Sequence, residues 1–97
     1  MAVEHILLFE WNEDVSDEQV QECLTELHAL KDAIPGIQSI KTGRNFSDLA
    51  GGTDHAAILT MDDVAALKAY APHPIHMAFV KMVKPMMKNL VVVDFEV

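Results

Sequence analysis

Val3-Glu4-His5-Ile6-Leu7-Leu8-Phe9-Glu10-Trp11 reads as a β-strand that is apolar on both faces. Successive side chains of a strand point to opposite sides, so His5, Leu7, Phe9 and Trp11 share one face while Ile6, Leu8 and Glu10 share the other. A sheet covered on one side only normally alternates apolar with polar residues. Ala56-Ala57-Ile58-Leu59 and Leu90-Val91-Val92-Val93 break that alternation in the same way. Both faces of the sheet therefore need cover.

After this strand, Asn12-Glu13-Asp14 breaks the pattern and Ser16 opens a helix. The Ser16 hydroxyl can accept from the Gln19 amide while the Gln19 side chain reaches back, a capping box, with Val15 and Val20 as its hydrophobic staple. Val20, Cys23, Leu24, Leu27, Leu30 and Ile34 then recur at spacings of three and four, an apolar stripe of helical period. Pro35-Gly36 ends the helix. Ile37 to Asn45 is a second strand with Ile37, Ser39, Lys41 and Gly43 on one side and Gln38, Ile40, Thr42 and Arg44 on the other; its polarity places it near a sheet edge.

Gly51-Gly52 and polar neighbours make Asn45 to Asp54 a loop, and His55 to Met61 a third strand. Asp62 or Asp63 caps a short helix that runs to Tyr70 and buries Val64, Leu67 and Tyr70. Pro72 and Pro74 stop it, and Pro74 starts a third helix, about Ile75 to Lys84, that buries Met77, Phe79, Val80 and Val83 before Pro85. Leu90 to Phe95 is the last strand. The order is the split βαβ of an α+β, ferredoxin-like βαββαβ domain spanning residues 1–97: a four-stranded antiparallel sheet with its helices on one face. The other face is left for a second copy of the chain. Covering about 600 Å² of apolar surface per subunit is worth about 15 kcal/mol before association costs, and a symmetric sheet-on-sheet homodimer is the simplest arrangement.

Composition narrows the partners. Hydrophobic residues form 51% of the chain and charged residues 23%, a globular balance. Fifteen acids against seven bases give a net charge of −8, which repels phosphate backbones and anionic lipid, so neither nucleic acid nor membrane is expected as a partner. Ile6 to Phe9 is too short for a membrane span or a signal-peptide core. Cys23 is the one cysteine, so there is no intrachain disulfide and no Cys-based zinc site; a reducing cytoplasm fits. On the buried stripe of an acidic helix, Cys23 reads as a core residue rather than a nucleophile.

Five histidines stand out against one Tyr and one Trp. His5 shares its strand face with Leu7 and Phe9, and His55 shares one with Ala57 and Leu59, so both point toward the helices. His73 and His76 lie in Tyr70-Ala71-Pro72-His73-Pro74-Ile75-His76, where two helices meet. A neutral imidazole beside a Tyr hydroxyl in an apolar pocket is a general base with a hydrogen-bonding acid, and His76 with Tyr70 is the candidate pair here. The competing reading is structural: buried imidazoles commonly bond backbone groups and knit loops to strands. His28 sits among charged residues and reads as a surface side chain. Pro74 spoils the His73–His76 spacing as a helical metal pair, no other ligand set is local, and no macrocycle pocket is identifiable beside His76. Neither metal nor cofactor is expected.

His5 before the apolar strand, Ile34-Pro35-Gly36-Ile37, Gly43-Arg44-Asn45, Asp54-His55-Ala56, Tyr70 through His76 and the closing Val91-Val92-Val93-Asp94-Phe95 come in an order that resembles the stress-responsive A/B barrel (Dabb) family over essentially the whole chain. The resemblance implies a homodimer whose two sheets close into a barrel with the helices outside. It implies no single activity. Plant members include a polyketide cyclase in which a Tyr and a His act as an acid/base pair for an intramolecular aldol condensation; the matching residues here are Tyr70 and His76. His5, Leu7, Phe9 and His55 would line the cavity, with Leu24 and Leu27 standing, beside Cys23, where that branch has aromatic pocket residues. The expected ligand is an apolar or aromatic small molecule. The expected activities are a cofactor-independent cyclase-like or monooxygenase-like reaction, or none at all in a structural stress protein.

Overall fold

The computed structural model describes residues 1–97. In chain order the elements are strand β1 (Val3–Trp11), helix α1 (Asp17–Ala33), strands β2 (Ile37–Arg44) and β3 (His55–Met61), helices α2 (Val64–Tyr70) and α3 (Pro74–Val83), and strand β4 (Met87–Glu96). All strand pairs are antiparallel, in the order β2-β3-β1-β4. The fold is the ferredoxin-like α+β architecture expected from the pattern, with β2 at an edge.

Local chemistry places each element. Ser16 forms the capping box with Gln19: its hydroxyl accepts from the Gln19 amide at 3.2 Å, and its own amide donates to the Gln19 side-chain oxygen at 2.8 Å. Asp63 caps α2 by accepting from the Ala66 amide at 2.8 Å. Gly36, at φ +94°, turns the chain from α1 into β2 where a Cβ would lie 2.8 Å from the Ala66 Cβ; an L side chain is excluded by both backbone and space. Pro85 sits in a single 3₁₀ turn, Lys84–Met86. Asn12 clamps this turn, its amide on the Met86 carbonyl and its side-chain nitrogen on that of Pro85.

β1 alternates strictly, with Val3, His5, Leu7, Phe9 and Trp11 buried on the helix side. Val3, Leu7, Phe9 and Trp11 join Val20, Cys23, Leu24, Leu27, Leu30 and Ile34 of the α1 stripe in one core. The opposite face carries Ile6, which pairs with Ile58 and Val93, and Leu8, which pairs with Ala56 and Val91. Val91, Val93 and Phe95 remain 41–45% exposed there, so the second apolar face is real and nothing in the chain covers it.

Four local expectations change. A register shift between Ile37 and Ser39 opposes Ile37 to Met61 and Ile40 to Leu59, so both isoleucines turn toward the helices, where strict alternation separates them. A β-bulge supplies the extra residue that restores the apolar phase. β4 starts at Met87, three residues earlier than its apolar run suggests, because β1 is long enough to pair Trp11 with Met87. Met77 is 52% exposed: α3 buries Phe79 and Val83, and Met77 lies off that face. Val64, in the first turn of α2, is exposed as well.

Candidate functional site

Between β1 and β4 on one side and α2 and α3 on the other lies a cavity of about 360 Å³. α1 packs chiefly over β2, so this end of the sheet is roofed only by the two shorter helices. Its walls are mostly apolar, with Leu7, Phe9, Phe79, Val83, Leu90 and Val92 prominent. The polar groups gather around His5, Tyr70, His76 and Asp94.

The helix junction sets the geometry of His76. His73 caps α3, its Nδ1 accepting from the Ile75 amide at 3.1 Å, and Pro74 occupies the first helical position, where its missing N–H costs nothing. His76 therefore falls in the first turn of α3. Its Nδ1–H donates to the Ala71 carbonyl at 2.8 Å, one of the acceptors that the end of α2 leaves without a helical partner. With the hydrogen on Nδ1, the neutral ring presents Nε2 as an acceptor. Burial pushes the His76 pKa below the usual imidazole value; the Ala71 bond opposes that shift, while the neighbouring His5 and His73 add to it.

Tyr70 stands beside it, the two ring centroids 4.1 Å apart and tilted by 37°. The phenol is 2% exposed, and burial holds its pKa well above the ordinary tyrosine value. Its hydroxyl makes no hydrogen bond within the chain, yet no buried side-chain oxygen or nitrogen is left without a partner. The hydroxyl therefore reaches the cavity. His5 meets Tyr70 edge to face at 5.7 Å, and its Nδ1 is hydrogen-bonded to Asp94. A ring nitrogen that accepts, a neutral phenol that donates and an apolar surround together suit proton transfer on a polarised carbonyl compound.

The structure brings His5, Leu7, Phe9, Tyr70 and His76 around one cavity. It does not bring Leu24, Leu27 or His55 there. Leu24 and Leu27 point from α1 into the closed core, because α1 lies over the β2 side of the sheet rather than over β4. His55, at the start of β3, turns away to the Trp11 indole, whose Nε1–H donates to His55 Nδ1 at 3.0 Å. Asp94 was not among the expected site residues. Its signal is a single acid that interrupts Val91-Val92-Val93 and Phe95 in step with Leu90 and Val92. Cys23 is buried, its thiol pushed up to about 11 by desolvation and then by Glu26, which makes it an inert core side chain. His28 lies on the surface, 2.9 Å from the Thr42 hydroxyl. No three His, Cys, Asp or Glu side chains converge in a way that could hold a metal ion, and no helix is long and apolar enough to cross a membrane.

Comparison with known proteins agrees with this architecture. Olivetolic acid cyclase of Cannabis sativa is 22% identical over 97 residues, covering 98% of this chain and 96% of that protein. The stress-response A/B barrel domain-containing protein HS1 of Arabidopsis thaliana is 25% identical over 96 residues, covering 97% and 88%. A crystal structure of a dimeric ferredoxin-like protein of unknown function from Thermobifida fusca superposes with a TM-score of 0.86 at 34% identity, covering all of this chain and 92% of the other. The family model for the stress responsive A/B barrel domain matches residues 3–97. The chain belongs to the stress-responsive A/B barrel domain (Dabb) family.

Proposed function

We propose that this chain works as a homodimer closed sheet on sheet, each subunit holding an apolar carbonyl compound beside His76 and Tyr70 and moving a proton on it without a cofactor. The observation that carries this reading is the tautomer of His76. Its bond to the Ala71 carbonyl fixes the hydrogen on Nδ1 and leaves Nε2 free to take a proton, 4.1 Å ring to ring from the Tyr70 phenol. His5, bonded to Asp94, packs edge to face against that phenol, and Tyr70 is itself only 2% exposed. The relative that is an olivetolic acid cyclase supports acid/base chemistry of this kind, and the dimeric relative from Thermobifida fusca supports the homodimer. The uncovered Ile6, Leu8, Ile58 and Val93 face supplies the interface. A net charge of −8 argues against nucleic acid or anionic membrane as partners, and a lone buried cysteine suits a reducing cytoplasm.

The test is exchange or cyclisation of enolisable β-diketones and β-polyketones, followed by NMR and product analysis. Wild type is expected to turn over, His76→Ala to lose about 10²-fold or more, and Tyr70→Phe to lose about as much. Equal turnover by all three proteins would sink the assignment. Saturable binding without turnover would leave a ligand-binding protein in place of an enzyme.

A further inference from the structure

Arg44, Asp54 and His55 belong to the motifs that mark this sequence, yet the cavity beside His76 uses none of them. They meet instead at the end of the sheet where β1 stops and β3 starts. Two polar clefts flank Arg44 there, one of about 340 Å³ containing Thr42 and His55, the other of about 350 Å³ containing Trp11, Glu13 and Asp54. Asp17, Val20 and Arg44 form part of both walls, so the two clefts are neighbours and can serve as two lobes about Arg44.

His55 is the observation that singles this place out. The residue is only 7% exposed, and Nδ1 is occupied by the Trp11 indole N–H. The neutral ring must then carry its hydrogen on Nε2. Burial first, and the Arg44 charge second, hold the His55 pKa below the usual value against the smaller opposite pull of Asp54 and Asp17. Nε2 has no partner within the chain, and no sealed polar side-chain atom is orphaned, so this N–H opens onto the 340 Å³ lobe. It is a fixed donor beside a guanidinium. The one ion pair of Arg44, to Asp17 at 3.8 Å, joins two largely exposed groups and is readily displaced.

The other lobe has the opposite character. Glu13, Asp17 and Asp54 line it, and Asp54 is held in place by accepting the Trp11 amide at 2.9 Å. A simple anion at Arg44 would face these three acids, and a simple amine would face Arg44. We propose that the two lobes together bind a small zwitterion of the amino-acid type, its carboxylate on Arg44 and the His55 Nε2–H and its ammonium among Glu13, Asp17 and Asp54. The site is independent of the cavity at His76.

Trp11 is the sole tryptophan and is bonded to His55, so its fluorescence reports occupancy. The intact protein is titrated with glycine and 4-aminobutyrate, which span short and long charge separations, and with butyrate and butylamine as singly charged analogues. One zwitterion is expected to bind about fivefold or more tightly than either analogue, and Arg44→Met to weaken it by about the same factor. Asp17→Asn moves two affinities in opposite directions: butyrate binds more tightly because its competitor for Arg44 is gone, while the advantage of the zwitterion narrows. Arg44 and Asp17 are exposed, and an unchanged melting temperature verifies that both variants are folded. No response to either zwitterion, equal binding of all four compounds, or full affinity in Arg44→Met would overturn the proposal.

Discussion

His5 on β1 and Asp94 on β4 stand directly opposite one another in the strand ladder, and the imidazole Nδ1 is hydrogen-bonded to the carboxylate. The pair ties the edge strand to the polar end of the cavity. Asp94→Ala leaves the buried Nδ1–H without an acceptor, and an orphaned buried donor costs about 1–3 kcal/mol. Urea denaturation should show that loss. Asp94→Asn, which retains an acceptor oxygen, should show a smaller one, and equal stability of all three proteins would mean that the contact contributes nothing.

Stability should fall as the solution becomes acidic. His55 and His76 both have folded pKa values below the ordinary 6.5, chiefly because burial disfavours the charged ring. The unfolded chain therefore binds more protons than the folded one below about pH 6.5, and the free energy of unfolding rises with pH in that window. Their contribution is intact above about pH 6.5 and is lost as pH falls from there through the folded values. Melting temperatures at pH 5 and pH 7 should diverge, and His76→Gln should narrow the gap. Exposure of His76 as a base follows the same order, so any turnover should hold at neutral pH and decline on the acid side.

Much of this was legible in the residues. The capping box at Ser16, the bounds of β3, the edge position of β2 and the two-faced strands all follow from local periodicity and turn chemistry. The lateral arrangement of the layers does not. His5 and His55 both face the helices, as alternation requires, but the strand order sets His5 under α2 and α3 and the Trp11 contact turns His55 away. Leu24 and Leu27 hold the positions that the family resemblance assigns to a pocket, yet in the folded chain they pack in the buried core and do not line the cavity beside His76. The bulge after Ile37 was hidden because one extra residue inverts every later side chain without changing composition.

Leu27 consequently separates core from site. It is fully buried and outside the cavity, so Leu27→Ala should cost about 2–5 kcal/mol while leaving ligand affinity of the folded fraction unchanged. Chemical denaturation and calorimetric titration on the same sample measure both. A variant that kept its stability and lost its ligand would put Leu27 back at the site.

The strand register separates the open face of the sheet from the face that lines the cavity. Ile58 pairs with Ile6 on the uncovered face, whereas Val92 pairs with Leu7 and points into the cavity. In a sheet-on-sheet dimer Ile58→Glu puts two carboxylates, one from each subunit, into an apolar layer with no cation to meet them, at a cost of several kcal/mol per buried ion. The expected result is a monomer by light scattering at micromolar concentration, with exposed apolar strands prone to aggregate. Val92→Glu places its charge at a cavity wall that is partly open to solvent, so it should remain a dimer and lose ligand instead. If Ile58→Glu stays dimeric and Val92→Glu dissociates, the subunits meet along the β4 edge rather than through the open face.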